Sequence, residues 1–178
     1  MRQRKREVRV TVRDIKFQEE NDFFNYRVAA MIESDAKYLF QKMPNDTNYT
    51  LVGGRVHFME TTKEAMIREV QEEVGYDITN DEFHMLEIAE NFFDYQDAEG
   101  GIHKVQTLLF IYKIKIPKEA VIDRRDSFPM KDKPNTTLHW LSYEEAKKAP
   151  ILPSFAKRLL EEDTLHHEII NDCKYGNE

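Results

Sequence analysis

The sequence has few of the features that secreted or membrane proteins use. Its single cysteine, Cys173, cannot form an intramolecular disulfide, and a reducing cytoplasm is therefore expected. No apolar run approaches the roughly 18 residues that span a bilayer, because the longest uncharged run, QTLLFIY, covers only 106–112. The arginine-rich start has no apolar stretch behind it, which argues against a secretory signal. We expect a cytoplasmic globular protein without a membrane segment.

Charge is unevenly distributed over the 178 residues. The net charge is −7, yet residues 1–13 carry six arginines and lysines against one glutamate. Such a segment could contact nucleic acid, although a solvated leader before a first strand is the simpler interpretation. The acidic remainder argues against broad nucleic-acid binding. Length and a hydrophobic share of 40% suit a single core.

Hydrophobic patterning predicts an α+β fold with a mixed sheet. The alternation in VRVTVRDIKF predicts a first strand, and YRVAAMIE with KYLFQKM predicts a hairpin that turns near Ser34 and Asp35. Further strands are expected at YTLVGG and at 83–95, 105–116 and 137–141. A helix follows from Thr61 or Thr62 to Gly75, and SYEEAKKA and PSFAKRLLEEDTLHHEIIND have helical patterns.

The chain is expected to have three parts. Residues 1–21 form a basic extension with a strand, residues 22–162 the main domain and residues 163–178 a helical tail. An added N-terminal strand offers a free edge, which could pair with a second copy to give a homodimer. It could equally fold back on its own sheet.

The segment GGRVHFMETTKEAMIREVQEEVGY, at 53–76, concentrates carboxylates. Glu72 and Glu73 follow Glu69 by three and four positions and therefore share a helix face with it. Clustered carboxylates repel one another unless a cation lies among them, and their oxygens suit Mg²⁺ or Mn²⁺. Arg68 precedes Glu72 by four residues and can pair with it. For an arbitrary cluster of glutamates, a charged solvent-exposed helix would be the preferred interpretation.

The surrounding spacing favours the metal site over the exposed helix. Gly54, five residues, Glu60, seven residues and then REVQEEVGY at 68–76 match all seven fixed residues of the Nudix box. Chance agreement is on the order of 10⁻⁶ over the chain at ordinary residue usage. The chain therefore resembles the Nudix hydrolases, loosely over about 22–162. Met59 departs from this pattern, because many members have glycine just before Glu60.

The resemblance implies an α/β/α sandwich with a mixed β-sheet. It also implies a pyrophosphohydrolase that uses Mg²⁺ or Mn²⁺ to cleave a nucleoside diphosphate linked to another moiety, a small-molecule nucleotide substrate. By position, Glu69, Glu72 and Glu73 resemble the metal-binding carboxylates, and the carbonyl of Gly54 resembles the backbone ligand. Glu60 and Arg68 resemble the residues that orient this set.

The general base has more than one candidate. Water attack on a pyrophosphate needs charge neutralisation and a carboxylate that takes the proton. Glu72 is the first choice, and Glu69 acting through metal-bound water is the second. Some family members take the base from outside the box, and this chain offers other carboxylates there. They are Glu87, Glu90, Asp94, Asp97 and Glu99.

Substrate-binding candidates lie outside the box. Phe93 and Tyr95, with Phe92, could stack on a base, although packing at a strand end is the ordinary role for such aromatics. Arg55 and Arg27 could bind phosphate, and His103 could bond a phosphate or base; each could also be a surface residue. The six histidines show no zinc spacing.

A second function remains open from sequence. Some Nudix members bind a nucleotide without hydrolysing it and act as sensors or regulators. Such members often lack box carboxylates, whereas this chain retains them all. The intact box therefore favours the enzyme. Nothing in the sequence selects among the nucleotide derivatives that the family hydrolyses.

Overall fold

The computed structural model describes residues 12–175. Within this range it contains eleven strands, two α-helices and one 3₁₀ helix. The strands are β1 (Lys16–Glu19), β2 (Asp22–Ser34), β3 (Lys37–Lys42), β4 (Tyr49–Thr50), β5 (Val52–Arg55), β6 (Phe83–Gln96), β7 (Ile102–Lys115), β8 (Ser127–Pro129), β9 (Thr137–Ser142), β10 (Ile151–Leu152) and β11 (His166–Asp172). The helices are α1 (Thr62–Glu73), α2 (Tyr143–Lys148) and the 3₁₀ helix (Ser154–Leu160).

One mixed sheet organises the protein around β2. Its main path runs β10-β4-β3-β2-β7-β6-β11, with β1 and β5 also paired to β2 and with β9 joining β3 to β8. The β2–β7 and β6–β11 pairs are parallel, whereas β6 and β7 form a long antiparallel hairpin. The α+β class with a mixed sheet is thus confirmed.

Helices cover both faces of the sheet. Because side chains alternate along a strand, Val28 and Ala30 of β2 pack in a core with Met66 and Val70 of α1. On the other face, Ala29 and Met31 belong to a core with residues of α2 and the 3₁₀ helix. These layers form the α/β/α sandwich that the family resemblance implies. No helix within residues 12–175 is long and apolar enough to cross a membrane.

Most predicted elements near the centre are confirmed. The β2–β3 hairpin turns after Ser34, and α1 begins after the N-cap Thr61. Helix α1 ends before Gly75, whose φ of 79° lies in the left-handed region that glycine adopts without strain. The YTLVGG strand is interrupted at Leu51, and β5 continues past the two glycines to Arg55.

The prediction of a C-terminal helical tail was wrong. After the 3₁₀ helix the chain extends into β11, which pairs with the outer side of β6. Pairing satisfies the otherwise free edge of β6 and packs Ile170 against the core, and tertiary contacts therefore override local propensity. His166 and His167 accordingly lie on a strand and not on a helix.

The predicted first strand lies partly outside the described range. Residues 8–11 of VRVTVRDIKF are not described, and β1 begins only at Lys16. Just before it, Asp14 forms an isolated antiparallel bridge with His57. Homodimer formation through this strand stays a prediction.

Candidate active site

Helix α1 is fixed at its start by reciprocal hydrogen bonds. The Thr61 hydroxyl accepts from the Glu64 backbone N–H at 3.2 Å, and the Glu64 carboxylate accepts from the Thr61 N–H at 2.9 Å. This capping box satisfies two otherwise unpaired donors. Met66 and Val70 anchor the next two turns in the core. The box carboxylates are therefore held on a rigid helix against β2 and β5.

Arg68 is the centre of the charged network on α1. Its Nε and Nη2 donate to the two oxygens of Glu60 at 2.8 and 2.9 Å. Its Nη1 donates to Glu69 at 2.7 Å and to Glu72 at 3.2 Å, and Nη2 also donates to the carbonyl of Arg55 at 2.9 Å. The ion pair with Glu72 predicted from sequence spacing is confirmed. One guanidinium thus joins the loop before α1 to two box carboxylates.

The Arg68–Glu60 pair stays charged. Burial alone would lower the pKa of Arg68, but hydrogen bonds to Glu60 and Glu69 outweigh this and raise the pKa. Burial likewise acts to raise the pKa of Glu60, yet the bonds from Arg68 and from the His57 backbone leave the pKa below its ordinary value. Charge-assisted bonds of this kind are stronger than neutral ones. The ion pair is therefore retained and fixes the loop before α1 to the helix.

Glu69 is packed against the backbone of Gly54. Its side chain is 9% exposed, and a Cβ placed on Gly54 would lie 2.2 Å from its Oε1. A side chain at position 54 would displace the carboxylate, because real Cβ contacts are never that short. The absence of a side chain at Gly54 thus allows the carboxylate to lie directly on β5.

Glu73 is buried and held from two sides. Its Oε2 accepts from the backbone N–H of Gly53 at 2.9 Å, and its Oε1 pairs with the ammonium of Lys133. Lys133 belongs to the connection between β8 and β9, where the backbone N–H of Lys131 also donates to the Glu73 carbonyl at 3.0 Å. Burial raises the pKa of Glu73, and the bonds from Lys133 and Gly53 only partly oppose this.

The carboxylates of the box are the type of ligand that a divalent cation prefers, although they are not grouped around one point. Among residues 12–175, no three His, Cys, Asp or Glu side chains lie grouped closely enough to hold a metal ion. Arg68 holds Glu69 and Glu72, while Lys133 holds Glu73. The carboxylate of Glu69 nevertheless lies against the Gly54 backbone, and carboxylate and carbonyl oxygens are the donors that such cations prefer. The donor set therefore fits Mg²⁺ or Mn²⁺, with two cationic side chains balancing the carboxylates.

A cleft of about 590 Å³ opens on the sheet face opposite α1. Its floor includes Asn25 and Arg27 of β2 and Thr107 of β7. Gly53 also lines the cleft, while its N–H binds Glu73 on the helix side. The cleft and the carboxylate helix therefore meet at the two glycines. This volume is within the usual range for small-molecule sites.

Arg27 supplies positive charge to the cleft. Among residues 12–175 its side chain forms no ion pair or hydrogen bond, whereas neighbouring Arg55 contacts Asp14 at 3.5 Å and Asn25 at 3.0 Å. Burial and, next, the charge of Arg55 lower the pKa of Arg27, while Glu69 and Glu73 oppose that shift. A half-buried guanidinium without a protein partner favours an anion.

The other predicted substrate residues are divided between two places. Phe93 lines the cleft, whereas Tyr95 and His103 lie near the tip of the β6–β7 hairpin and stack on each other with ring centroids 4.9 Å apart. His103 also bonds Asp97 at 2.8 Å. Tyr95 and His103 therefore do not line the cleft. They lie near the tip of the hairpin, where they stack on each other.

The alternative general bases outside the box lie away from the cleft, and the side chains of four of them have partners there. Asp94 accepts two backbone N–H groups after β11 and Asp97 binds His103. Glu87 pairs with Arg158 and Glu90 with His167. The backbone N–H of Glu99 donates to the Asp97 carboxylate. None of these five residues lines the cleft.

Several residues at the site were missed from sequence. Asn25 and Thr107 are buried polar residues of the cleft floor, Asn91 and Asp172 also line the cleft, and Lys133 covers Glu73. Polar residues inside the otherwise apolar strands β2 and β7 were the available signal for Asn25 and Thr107. No local signal marks Lys133, which reaches Glu73 from a distant loop.

Comparison with known proteins identifies the family. The model of the NUDIX domain matches residues 24–162, which is most of the chain. The chain belongs to the Nudix family. This membership supports the predicted enzyme class, a Nudix pyrophosphohydrolase. No curated protein matches the chain.

Solved structures show the same fold at low sequence identity. The MutT protein of Bacillus halodurans is 20% identical with a TM-score of 0.55, over 77% of this chain and 80% of that one. A NUDIX hydrolase from Nitrosomonas europaea is 19% identical with a TM-score of 0.51, over 83% of this chain and 79% of that one. These similarities support the Nudix architecture of the sheet and helices.

Proposed function

We propose that this Nudix protein is a divalent-cation-dependent hydrolase that cleaves the pyrophosphate bond of a nucleoside diphosphate linked to another moiety. The observation that carries this proposal is the junction at Gly53 and Gly54. On one side of it lie Glu69 and Glu73, and on the other lies a cleft with Arg27, which has no partner among residues 12–175. A phosphate chain in the cleft would therefore lie beside the carboxylates.

Glu69, Glu72, Glu73 and the carbonyl of Gly54 would hold the cation. When bound, a divalent ion neutralises phosphate oxygens and lowers the pKa of water. Glu60 and Arg68 would keep Glu69 and Glu72 in place, since Arg68 contacts all three carboxylates. This arrangement explains why one helix carries so many carboxylates.

Glu72 is our preferred general base. Its side chain is 49% exposed and makes its single ion pair with Arg68 through Oε2, which leaves Oε1 available to accept a proton from water. Glu69 is the alternative, although it is more deeply buried and more tightly held by Arg68. In either case Arg68 orients the carboxylate through a hydrogen bond.

The cleft residues would orient the nucleotide. Arg27 would bind a phosphate, because its planar guanidinium can contact two oxygens at once. Arg55, held beside it by Asn25, would add positive charge. Phe93 would contact the base through its ring. Tyr95 and His103, which stack on each other at the hairpin tip, have no role in this proposal.

The direct test is product chromatography with a panel of nucleoside diphosphate derivatives and Mg²⁺ or Mn²⁺. The wild-type protein should release a nucleoside monophosphate only with metal present, and Glu72→Gln should lower kcat by about 10²–10⁴-fold. Glu64→Gln is the matched control, because Glu64 only caps α1. Full activity of Glu72→Gln would remove that residue from the mechanism. Tight nucleotide binding without product would instead support a sensor.

A further inference from the structure

Strand β11 borders the cleft although it lies outside residues 24–162, the segment that matches the Nudix family. It pairs in parallel with β6, from His166 opposite Glu87 to Asp172 opposite Phe93. Its last residue, Asp172, lines the cleft together with Phe93 and Asn91 of β6. A segment beyond the family match thus forms one wall of the candidate substrate site.

Both ends of β11 are fixed to the domain. Near its start, the Arg158 guanidinium of the 3₁₀ helix binds Glu87 of β6 and Glu168 of β11. Just after its end, Asp94 of β6 accepts the backbone N–H groups of Lys174 and Tyr175, each at 2.8 Å. The strand is therefore a rigid part of the cleft wall.

The wall presents an exposed carboxylate to the cleft. Directly opposite residues in a sheet project from the same face, and Asp172 is therefore on the face of Phe93, with which it lines the cleft. Among residues 12–175 the Asp172 carboxylate has no ion pair or side-chain hydrogen bond. An ionised carboxylate only accepts, which means that a ligand here should bring donors.

The position of this wall identifies the part of the ligand that it contacts. Strand β11 is three strands away from β2, or about 14 Å across the sheet, and Arg27 lies on β2. If Arg27 binds phosphate, as proposed above, the nucleoside extends toward β11. The aromatic face of Phe93 favours a flat heterocycle over a sugar at this end.

We infer that β11 forms the base-recognition wall of the cleft and that Asp172 selects nucleobases carrying an exocyclic amino group. An amino group donates to this carboxylate, whereas a carbonyl oxygen at the same place would leave the carboxylate unpaired and be repelled by it. Sites built to bind a donor discriminate strongly against analogues that lack it. The inference rests on the proposed nucleotide substrate, but recognition and hydrolysis can be tested separately.

The test uses α,β-methylene diphosphates, which cannot be cleaved at that bond, in pairs that differ by one amino group. The pairs are cytidine against uridine and adenosine against inosine, titrated by calorimetry with Mg²⁺ present. The wild-type protein should bind the amino member of at least one pair about tenfold more tightly. Asp172→Asn should remove most of this preference, because an amide both donates and accepts.

Two further variants separate recognition from a general loss of structure. Glu119→Gln removes one exposed carboxylate away from the cleft and should retain the wild-type preference. Asp94→Asn weakens the anchor after β11 and should reduce the preference without abolishing binding. Unchanged selectivity in Asp172→Asn, or absence of any preference in the wild type, would overturn the inference. Selective binding without hydrolysis of the natural nucleotides would instead reject the proposed hydrolase and keep the recognition wall.

Discussion

Arg68 holds Glu60 through two parallel hydrogen bonds, from Nε to Oε1 at 2.8 Å and from Nη2 to Oε2 at 2.9 Å. The third nitrogen of the same guanidinium binds Glu69 at 2.7 Å. The loop before α1 therefore controls the position of a candidate metal-binding carboxylate without touching it. A guanidinium is needed here, because its several N–H donors in a fixed plane can bind Glu60 and Glu69 at the same time.

Replacing the planar guanidinium of Arg68 with the compact ammonium of lysine should impair catalysis more than stability. We expect Arg68→Lys to lower kcat/KM by about 10–100-fold, as changes to residues that orient metal ligands commonly do. Steady-state kinetics with Mg²⁺ would measure this. Arg125→Lys is a suitable control, because Arg125 is also paired with an aspartate, Asp123, but its side chain is 69% exposed. Wild-type kinetics for Arg68→Lys would show that the guanidinium is dispensable.

The Lys133–Glu73 pair should compete with divalent metal. Glu73 is completely buried, and Lys133→Met would leave its carboxylate with only the Gly53 N–H. We expect the free energy of unfolding in EDTA to fall by about 1–3 kcal/mol. Mn²⁺ should then raise the melting temperature more in this variant than in the wild type, because the cation replaces the ammonium.

Lys131→Met provides the matched control for that measurement. The Lys131 ammonium lies 3.4 Å from the Gly75 carbonyl and makes no contact with the Glu73 carboxylate. Its removal should leave the metal-induced shift at the wild-type value. Equal shifts in the wild type and Lys133→Met would contradict the competition.

Met59 has a left-handed backbone conformation and an exposed side chain. Its φ is 68°, in the left-handed region that costs non-glycine residues about 1–2 kcal/mol, and its side chain is 88% exposed. We expect Met59→Gly to raise the free energy of unfolding by about 0.5–1 kcal/mol. Urea titration would measure this change. Met43→Gly, at an exposed methionine without positive φ, should instead lower stability; a loss in both variants would contradict the strain at Met59.

Glu87 should make stability depend on pH. Burial raises its pKa, and the bond from Arg158 only partly offsets this. The folded protein therefore binds this proton more readily than the unfolded chain does. As pH rises from the ordinary glutamate range through the raised pKa, the wild-type free energy of unfolding should fall relative to that of Glu87→Gln. Urea titrations between about pH 4 and pH 7 would show the trend.

Glu64 provides a control of opposite sign. Hydrogen bonds from the Thr61 backbone and hydroxyl lower its pKa, so the folded protein releases this proton more readily than the unfolded chain. The wild type should gain stability relative to Glu64→Gln as pH rises through the lowered pKa to the ordinary value. Slopes of the same sign in the two comparisons would contradict this assignment.

Sequence predicted the parts of the site that depend on local spacing. The positions of Glu69, Glu72 and Arg68 follow from the helical repeat, and Thr61 is recognisable as a cap from its own chemistry. The central hairpin followed from alternation and a polar turn. In each case the interacting residues are near neighbours in sequence, and the pattern therefore determines the contact.

Features that depend on distant contacts could not be predicted in this way. Lys133 meets Glu73 across 60 residues, and Asp172 reaches the cleft only because β11 pairs with β6. The same tail has a helical pattern when considered alone. Tyr95 and His103 were chosen for their chemistry, yet the register of the β6–β7 hairpin places them against each other. Register is a tertiary property that composition does not encode locally.

Strand β2 is 13 residues long and pairs with β7 from Asp22 to Glu33, while β1, β5 and β3 follow one another along its other edge. Arg27 and Asn25 of β2, and the glycines Gly53 and Gly54 that pair with Ala29 and Val28 of the same strand, thus belong to one cooperative unit with the centre of the sheet. Local fraying cannot separate these residues without breaking that ladder. Heating or denaturant should therefore abolish activity at the same midpoint as global unfolding. We expect no intermediate that retains the sheet but has lost the active site.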